Sequence, residues 1–319
     1  MKIASTGDSR SRLPHIPGFR LIEQCGRGGS GTVYLGIDRD GVRRAVRVMR
    51  IDDGNDRVRE RECAAIAGYR NLARGHEHLI DILYVGRTRS TVYCVLPLAD
   101  SASERQFRYR PLTLTEKLAH SRGGIDERLR IVRAIVGAVS FLHAHGVAHR
   151  DLKPDNILFV GGVPKVADPG SSAPAGYRSN GGTREFAPPR PSDGFHADVY
   201  ALGMIMYCVF TGFAPERFPE LPPGWTHPFY ARINRMILKC CDPETPGYRS
   251  AGELAAGLSV LTPPPSRRRV LLRAWHNIRG SVGAWAAALL LLLGLFSCRD
   301  PGKRSADEQV VTAGVLSRR

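Results

Sequence analysis

The stretch His149-Arg150-Asp151-Leu152-Lys153-Pro154-Asp155-Asn156 places a carboxylate, an ammonium group and an amide within eight consecutive residues. Twelve residues later the chain continues with Asp168-Pro169-Gly170. Asp151 offers a carboxylate that can accept a proton, and Lys153 a cation that can pair with an anion. Asn156 and Asp168 supply oxygen ligands of the kind that Mg²⁺ prefers. Taken singly, these residue types more often form turns, so their order and spacing are what favour a site for a negatively charged group.

The chain before this stretch predicts a buried helix. From Ile125 to His145, apolar residues recur at helical spacing on two faces, and Gly146 is a typical stop. Further upstream, residues 19–49 predict three strands with turns, and residues 56–71 a charged helix. Strands first and helices after predict an α+β chain in two lobes.

Residues 26–33, Gly-Arg-Gly-Gly-Ser-Gly-Thr-Val, predict a turn between two strands. Glycines let a backbone approach phosphates closely and present amide groups to them. By itself the pattern is also compatible with a plain hairpin turn. A dinucleotide site would need a helix after the glycines, and residues 32–37 favour a strand.

Together these motifs resemble the protein kinase family, in the serine/threonine branch that bacteria share with eukaryotes. The resemblance covers residues 19–261 and implies a small β-rich N-lobe at about 19–98 and a larger helical C-lobe at about 99–261. It also implies ATP with Mg²⁺ or Mn²⁺ as cofactors, and protein serine or threonine hydroxyls as substrates.

The resemblance assigns roles to single residues. Asp151 would orient or accept the hydroxyl proton, and Lys153 would pair with the transferring phosphate. Asn156 and Asp168 would hold the metal ions. The residues implied in ATP binding are Gly26, Gly28, Gly31, Val33, Ala45, Arg47, Pro97, Ala99 and Leu158. The activation segment would include Ser171, Ser172, Ser179 and Thr183, and Asp198 would brace the catalytic loop.

Three positions depart from the family pattern. Arg47 stands where the family has a lysine, and its expected partner is Glu62, with Glu60 as the alternative. Pro169 replaces the usual phenylalanine after the metal aspartate. Pro189 replaces a glutamate that usually pairs with Arg249, so we expect Arg249 to be exposed or to have another partner. Arginine is longer than lysine and planar, so the replacement at residue 47 is not conservative. Together with Pro169 it leaves a second hypothesis open: a pseudokinase that binds nucleotide or partner proteins with little turnover.

The C-terminal region predicts a membrane anchor. A Pro/Arg-rich linker at 262–279 precedes an uncharged run at 280–298, which as a helix would be about 28 Å long, close to the hydrocarbon thickness of a bilayer. The alternative is a buried core helix. Denser basic residues before the run favour a cytoplasmic kinase domain on the inner, or cytoplasmic, membrane with a short external tail at 299–319. Residues 1–18 are predicted to be a flexible tail.

The net charge of +16 has an unusual origin, since forty of the basic residues are arginine and six are lysine. Basic chains often bind nucleic acid, but these arginines are scattered and no nucleic-acid motif is present, so no nucleic-acid partner is expected. A second copy of the chain is a candidate partner. The seven cysteines have no metal-binding spacing and favour a reducing compartment.

Overall fold

The computed structural model describes residues 13–28, 31–50, 56–102, 108–120, 123–168, 173–174, 184–190, 192–242 and 247–264, without the side chains of 56–59, 61–62 and 173–174. The chain divides into a compact unit over Met1–Pro263 and a second unit over Pro264–Arg319. Of the second unit, only Pro264 is among the described residues.

The first lobe is a five-stranded antiparallel sheet with one helix. The elements are β1 (Arg20–Gly28), β2 (Gly31–Ile37), β3 (Arg43–Arg50), α1 (Asp56–Ala73), β4 (Tyr84–Arg87) and β5 (Thr91–Leu96). The strand order in the sheet is β1-β2-β3-β5-β4. Every residue of β5 is buried, so both faces of this strand are covered.

The second lobe is mainly helical. Its elements are α2 (Leu114–His120), α3 (Ile125–Ala144), β6 (Val147–Ala148), β7 (Ile157–Val160), β8 (Val163–Val166), β9 (Ala173–Pro174), α4 (Gly194–Thr211), α5 (Pro228–Cys240) and α6 (Ala251–Ser259). α4 is apolar on all sides and almost wholly buried, so it forms the centre of this lobe. Asp193 caps its first turn by accepting a hydrogen bond from the His196 N–H at 2.7 Å, and Gly212, with φ of +70°, ends it.

The α+β, two-lobed prediction is confirmed. Three strands fill the segment where three were expected, and α3 ends at Ala144, with Gly146 at φ of +74° beyond it. Buried residues of both lobes belong to one apolar cluster that includes Ile66 of α1 and Leu142 of α3.

Within the described part of the chain, no helix is both long and apolar enough to cross a membrane. The predicted span at 280–298 and most of its linker lie outside the described residues, as does the tail at 299–319.

Candidate active site

The loop that carries Asp151 is held by one buried carboxylate from α4. Asp198, 1% exposed, accepts hydrogen bonds from the backbone N–H groups of His149 and Arg150, both at 2.7 Å. Arg150 has a left-handed backbone, with φ of +70°, which is unfavourable for a long side chain. The two charge-assisted bonds therefore hold a strained backbone directly before Asp151.

A histidine connects this brace to the last helix of the lobe. His143 in α3 accepts a hydrogen bond at Nδ1 from the N–H of Ala251, 3.2 Å away. Its proton must then be on Nε2, which donates to Asp198 at 3.0 Å. The ring also stacks on Phe195, with centroids 4.2 Å apart. These contacts fix both the tautomer and the orientation of the imidazole.

His149 links the catalytic loop to the segment that carries Asp168. Its side chain is fully buried, and its Nε2 donates to the carbonyl of Ala167 at 2.8 Å. The next residue, Asp168, has φ of +65°, a conformation that aspartate tolerates better than most residues. His149 therefore fixes the catalytic loop relative to the segment that carries Asp168.

Asp151, Lys153 and Asn156 form one polar cluster. The Lys153 ammonium lies 3.1 and 3.3 Å from the two carboxylate oxygens of Asp151. The Asn156 amide nitrogen donates to the backbone carbonyl of Asp151 at 2.6 Å and to its carboxylate at 3.0 Å. Because the nitrogen is used in this way, the amide oxygen of Asn156 is the atom that can act as a metal ligand.

Arg47 of the N-lobe pairs with Asp168 of the C-lobe. Its Nη1 lies 2.5 Å from Oδ1 of Asp168, and its side chain is 5% exposed. β3 positions it between Val33 of β2 and Cys94 of β5 in the sheet register. The residue that was expected to contact phosphates is therefore paired with the residue that was expected to bind metal.

Of the two glutamates of α1 that could pair with Arg47, only one has a described side chain. Glu60, the alternative in the sequence analysis, has an exposed side chain. The side chain of Glu62 lies outside the described residues, so its pairing with Arg47 stays a prediction.

The glycine-rich segment is the closed end of the β1–β2 hairpin. Gly28 pairs with Gly31 at the last register position. Gly31 has φ of +134°, and a Cβ there would lie 2.7 Å from the carbonyl oxygen of Val48, so only glycine fits. A Cβ on Gly28 would meet nothing within 4 Å. Gly26 lies earlier in β1, opposite Val33.

The residues that the resemblance implies in ATP binding come from both lobes. Val33 and Ala45 lie in neighbouring sheet strands and are half-buried, and so is Leu158 of β7. In the connection between the lobes, neither the Pro97 carbonyl nor the Ala99 N–H has a hydrogen-bond partner among the described residues. One acceptor and one donor are thus available there for a planar base.

The chemistry of the donor set fits a metal that is held partly by substrate. Asn156 and Asp168 offer hard oxygen ligands. The described residues contain no group of three or more His, Cys, Asp or Glu side chains that could hold an ion by themselves. Mg²⁺ commonly takes one or two protein oxygens and completes its shell with phosphates and water. The two residues therefore fit Mg²⁺ bound together with a nucleotide.

Of the activation segment, the structure describes residue 168, the backbone of 173–174, and residues 184–190. Ser171, Ser172, Ser179 and Thr183 lie outside the described residues, and so does Pro169. Arg249 is exposed, as predicted from Pro189, and its backbone N–H donates to Glu253 at 3.0 Å.

Sequence reasoning missed three residues near the site. His143 gave no signal because its partner Asp198 is 55 residues away. Cys25, next to the glycine turn, has no cysteine or metal-ligand spacing in the sequence that would single it out. Tyr109 contacts both β1 and the connection between the lobes at residues 97–99, called the hinge from here on. It lies in a segment without regular periodicity.

Comparison with known proteins agrees with this geometry. A family model described as "Protein kinase domain" matches residues 19–220. Among curated proteins, the chain is similar to a probable serine/threonine-protein kinase PknB of Lactococcus lactis, with 30% identity over 214 residues, which are 62% of this chain and 32% of that protein. It is also similar to the serine/threonine-protein kinase Pkn1 of Myxococcus xanthus, with 33% identity over 253 residues, 69% of this chain and 35% of the relative.

A third relative is the serine/threonine-protein kinase PknK of Mycobacterium bovis, with 31% identity over 227 residues, 64% of this chain and 19% of that protein. The matches thus span about a third or less of the length of these relatives. The family match covers well over half of this chain. The braced catalytic loop, Asp198 and the paired Arg47 and Asp168 all lie within the matched residues. The chain belongs to the protein kinase family.

Proposed function

We propose that the chain is a serine/threonine protein kinase that transfers the γ-phosphoryl group of ATP to protein hydroxyls. The observation that carries the proposal is the cluster of Asp151, Lys153 and Asn156 on a loop braced by Asp198. The names of the relatives, all serine/threonine kinases, support the same substrate class.

In this proposal each side chain acts on charge or on a proton. Asp151 accepts the proton of the attacking hydroxyl, and Lys153, within 3.3 Å of that carboxylate, stabilises negative charge on the transferring group. Asn156 and Asp168 would hold Mg²⁺, which neutralises the phosphates when bound. Arg47 supplies a fixed positive charge from the N-lobe.

The competing proposal is a pseudokinase, and its motivating observation is Arg47. Its guanidinium pairs with Asp168 at 2.5 Å. The guanidinium and a bound metal ion would therefore compete for the same carboxylate. A charged guanidinium still stabilises phosphates. We therefore favour an enzyme with a reduced rate.

The test is phosphoryl transfer from labelled ATP to a generic basic protein substrate in the presence of Mg²⁺, together with autophosphorylation. Asp151→Ala should lower the rate by at least 100-fold, as expected for loss of a general base. The matched control is Asp155→Ala, in the same loop but with an exposed side chain, which should retain the wild-type rate. Nucleotide binding without any turnover in the wild type would favour the pseudokinase.

We also propose that the chain is tethered to the cytoplasmic membrane through residues 280–298, with the kinase domain in the cytoplasm. The support is the uncharged 19-residue run and the arginines that precede it. The expected result is that the full chain sediments with membranes and resists extraction by carbonate, whereas a chain ending at residue 264 stays in the supernatant. Full extraction of the longer chain by carbonate would contradict the tether.

A further inference from the structure

We infer that residues 108–110, which we call the post-hinge strap, tie the glycine-rich strand β1 to the hinge and thereby set nucleotide affinity. Tyr109 is the positioning residue of the strap. The inference rests on the proposed function, since it assumes that ATP binds in the cleft beneath β1. It adds a determinant of affinity that lies outside the residues implicated above.

One end of the strap binds β1. The carboxylate of Glu23 accepts the backbone N–H of Tyr109 at 2.9 Å and lies 3.2 Å from Nε of Arg108. The Arg108 side chain is 70% exposed, so its ion pair contributes little. The Glu23 side chain is 24% exposed, and its bond to the Tyr109 amide is charge-assisted and better shielded from water. Arg108 also donates to the carbonyl of Gln24 at 3.2 Å.

The other end binds the hinge. The hydroxyl of Tyr109 donates to the carbonyl of Ala99 at 3.0 Å, and Ala99 itself is buried. Burial, with the nearby Cys25 and Asp100, raises the pKa of Tyr109, so the phenol remains a donor throughout the physiological range. A single residue therefore connects β1 to the hinge, through its backbone on one side and its side chain on the other.

The base of the strap is fixed to the C-lobe. The Ala102 N–H donates to the carbonyl of Arg110 at 2.9 Å, and the Leu112 N–H to that of Asp100 at 2.7 Å. The carboxylate of Asp100 accepts the N–H groups of Gly161 and Gly162, both at 2.8 Å. The strap is therefore a fixed arm and not a loose loop lying against β1.

This arrangement has a consequence for binding. β1 carries Gly26 and Gly28, so its position relative to the hinge defines the height of the nucleotide cleft. A strap that holds β1 in place before ATP arrives lowers the ordering cost that binding would otherwise incur. Because none of the strap contacts involves Asp151, Lys153 or Asn156, loss of the strap should weaken nucleotide binding more than it slows the chemical step.

The experiment compares the full chain with Tyr109→Phe, which removes only the hydroxyl, and Glu23→Ala, which removes the acceptor on β1. The control is Tyr230→Phe, in α5 of the C-lobe and without a hydrogen bond from its hydroxyl among the described contacts. Three quantities are measured: the Kd of a fluorescent ATP analogue, KM for ATP and kcat, and hydrogen exchange of the amides at 20–28 and 97–102.

We expect both strap variants to raise Kd and KM by about 2- to 10-fold, the effect of one hydrogen bond, with kcat changed less than KM and exchange of both segments accelerated. The control should match the wild type.

Faster exchange with unchanged Kd would overturn the inference, since the strap would then be structural only. Unchanged exchange would overturn it as well, and so would a wild type that binds no nucleotide. A wild type that binds nucleotide but transfers no phosphoryl group would refute the proposed enzyme, while the Kd ratios still decide on the strap.

Discussion

Nη1 of Arg47 and Oδ1 of Asp168 lie 2.5 Å apart, joining the central strand of the N-lobe to the residue that follows the buried Ala167 of the C-lobe. The guanidinium is almost wholly buried, and the carboxylate is 22% exposed. A planar, delocalised cation therefore lies beside the carboxylate that we propose as a metal ligand, at a position where a compact ammonium is usual in the family.

The first prediction concerns this pair. Arg47→Lys should raise turnover by about 3- to 10-fold and lower the Mg²⁺ concentration needed for half-maximal rate. A shorter point charge competes less with the metal for Asp168. The measurement is the initial rate across a Mg²⁺ titration at saturating ATP. A lower rate in a variant that still melts at the wild-type temperature would contradict it.

The second prediction concerns Asp198. Asp198→Asn should lower the free energy of unfolding by about 2–4 kcal/mol, because a buried carboxylate that accepts three hydrogen bonds is replaced by a group with one acceptor oxygen. Denaturant unfolding measures it. Asp193→Asn is the control: it also exchanges a carboxylate for an amide, but at an exposed helix cap, and should cost about 0.5 kcal/mol or less. Equal losses of unfolding free energy at both positions would show that the buried hydrogen bonds of Asp198 stabilise the fold no more than an exposed helix cap does.

The third prediction concerns the end of α6. The Arg133 guanidinium donates to the carbonyls of Leu258, Ser259 and Leu261 at 2.6–3.3 Å. Arg133→Ala should cost about 1–3 kcal/mol and speed hydrogen exchange and proteolysis of residues 254–261. Arg130→Ala, an exposed position in the same helix, should do neither. Intact protection of 254–261 in the Arg133 variant would argue against this role.

The fourth prediction concerns thiol chemistry beside the glycine turn. Burial is the main cause that raises the pKa of the Cys25 thiol to about 11, so only about one molecule in a thousand carries the reactive thiolate at pH 8. The rate of Cys25 alkylation should rise about tenfold per pH unit between pH 7 and 10. Mass spectrometry of the β1 peptide measures this rate. A small free thiol reaches its plateau near its own pKa of about 8.5. A plateau for Cys25 below pH 9 would contradict the burial.

Local patterns predicted the elements well and the contacts between them poorly. The three N-lobe strands and α3 were readable because apolar spacing and glycine stops are local signals. The exposure of Arg249 followed from one substitution at residue 189. By contrast, the bond between Glu23 and Tyr109 joins residues 86 positions apart, and nothing in either neighbourhood marks it. The pairing of Arg47 with Asp168 depends on how two lobes close, which no periodicity encodes.

The brace of the catalytic loop also limits where the domain can be cut. From the Ala251 N–H to the Arg150 N–H, three hydrogen bonds pass through His143 and Asp198. A truncation that removes α6 would take away the Ala251 donor and leave the buried Nδ1 of His143, the residue that holds Asp198, without this hydrogen bond. A minimal kinase fragment must therefore retain the chain through Leu261, even though the family match already ends at residue 220.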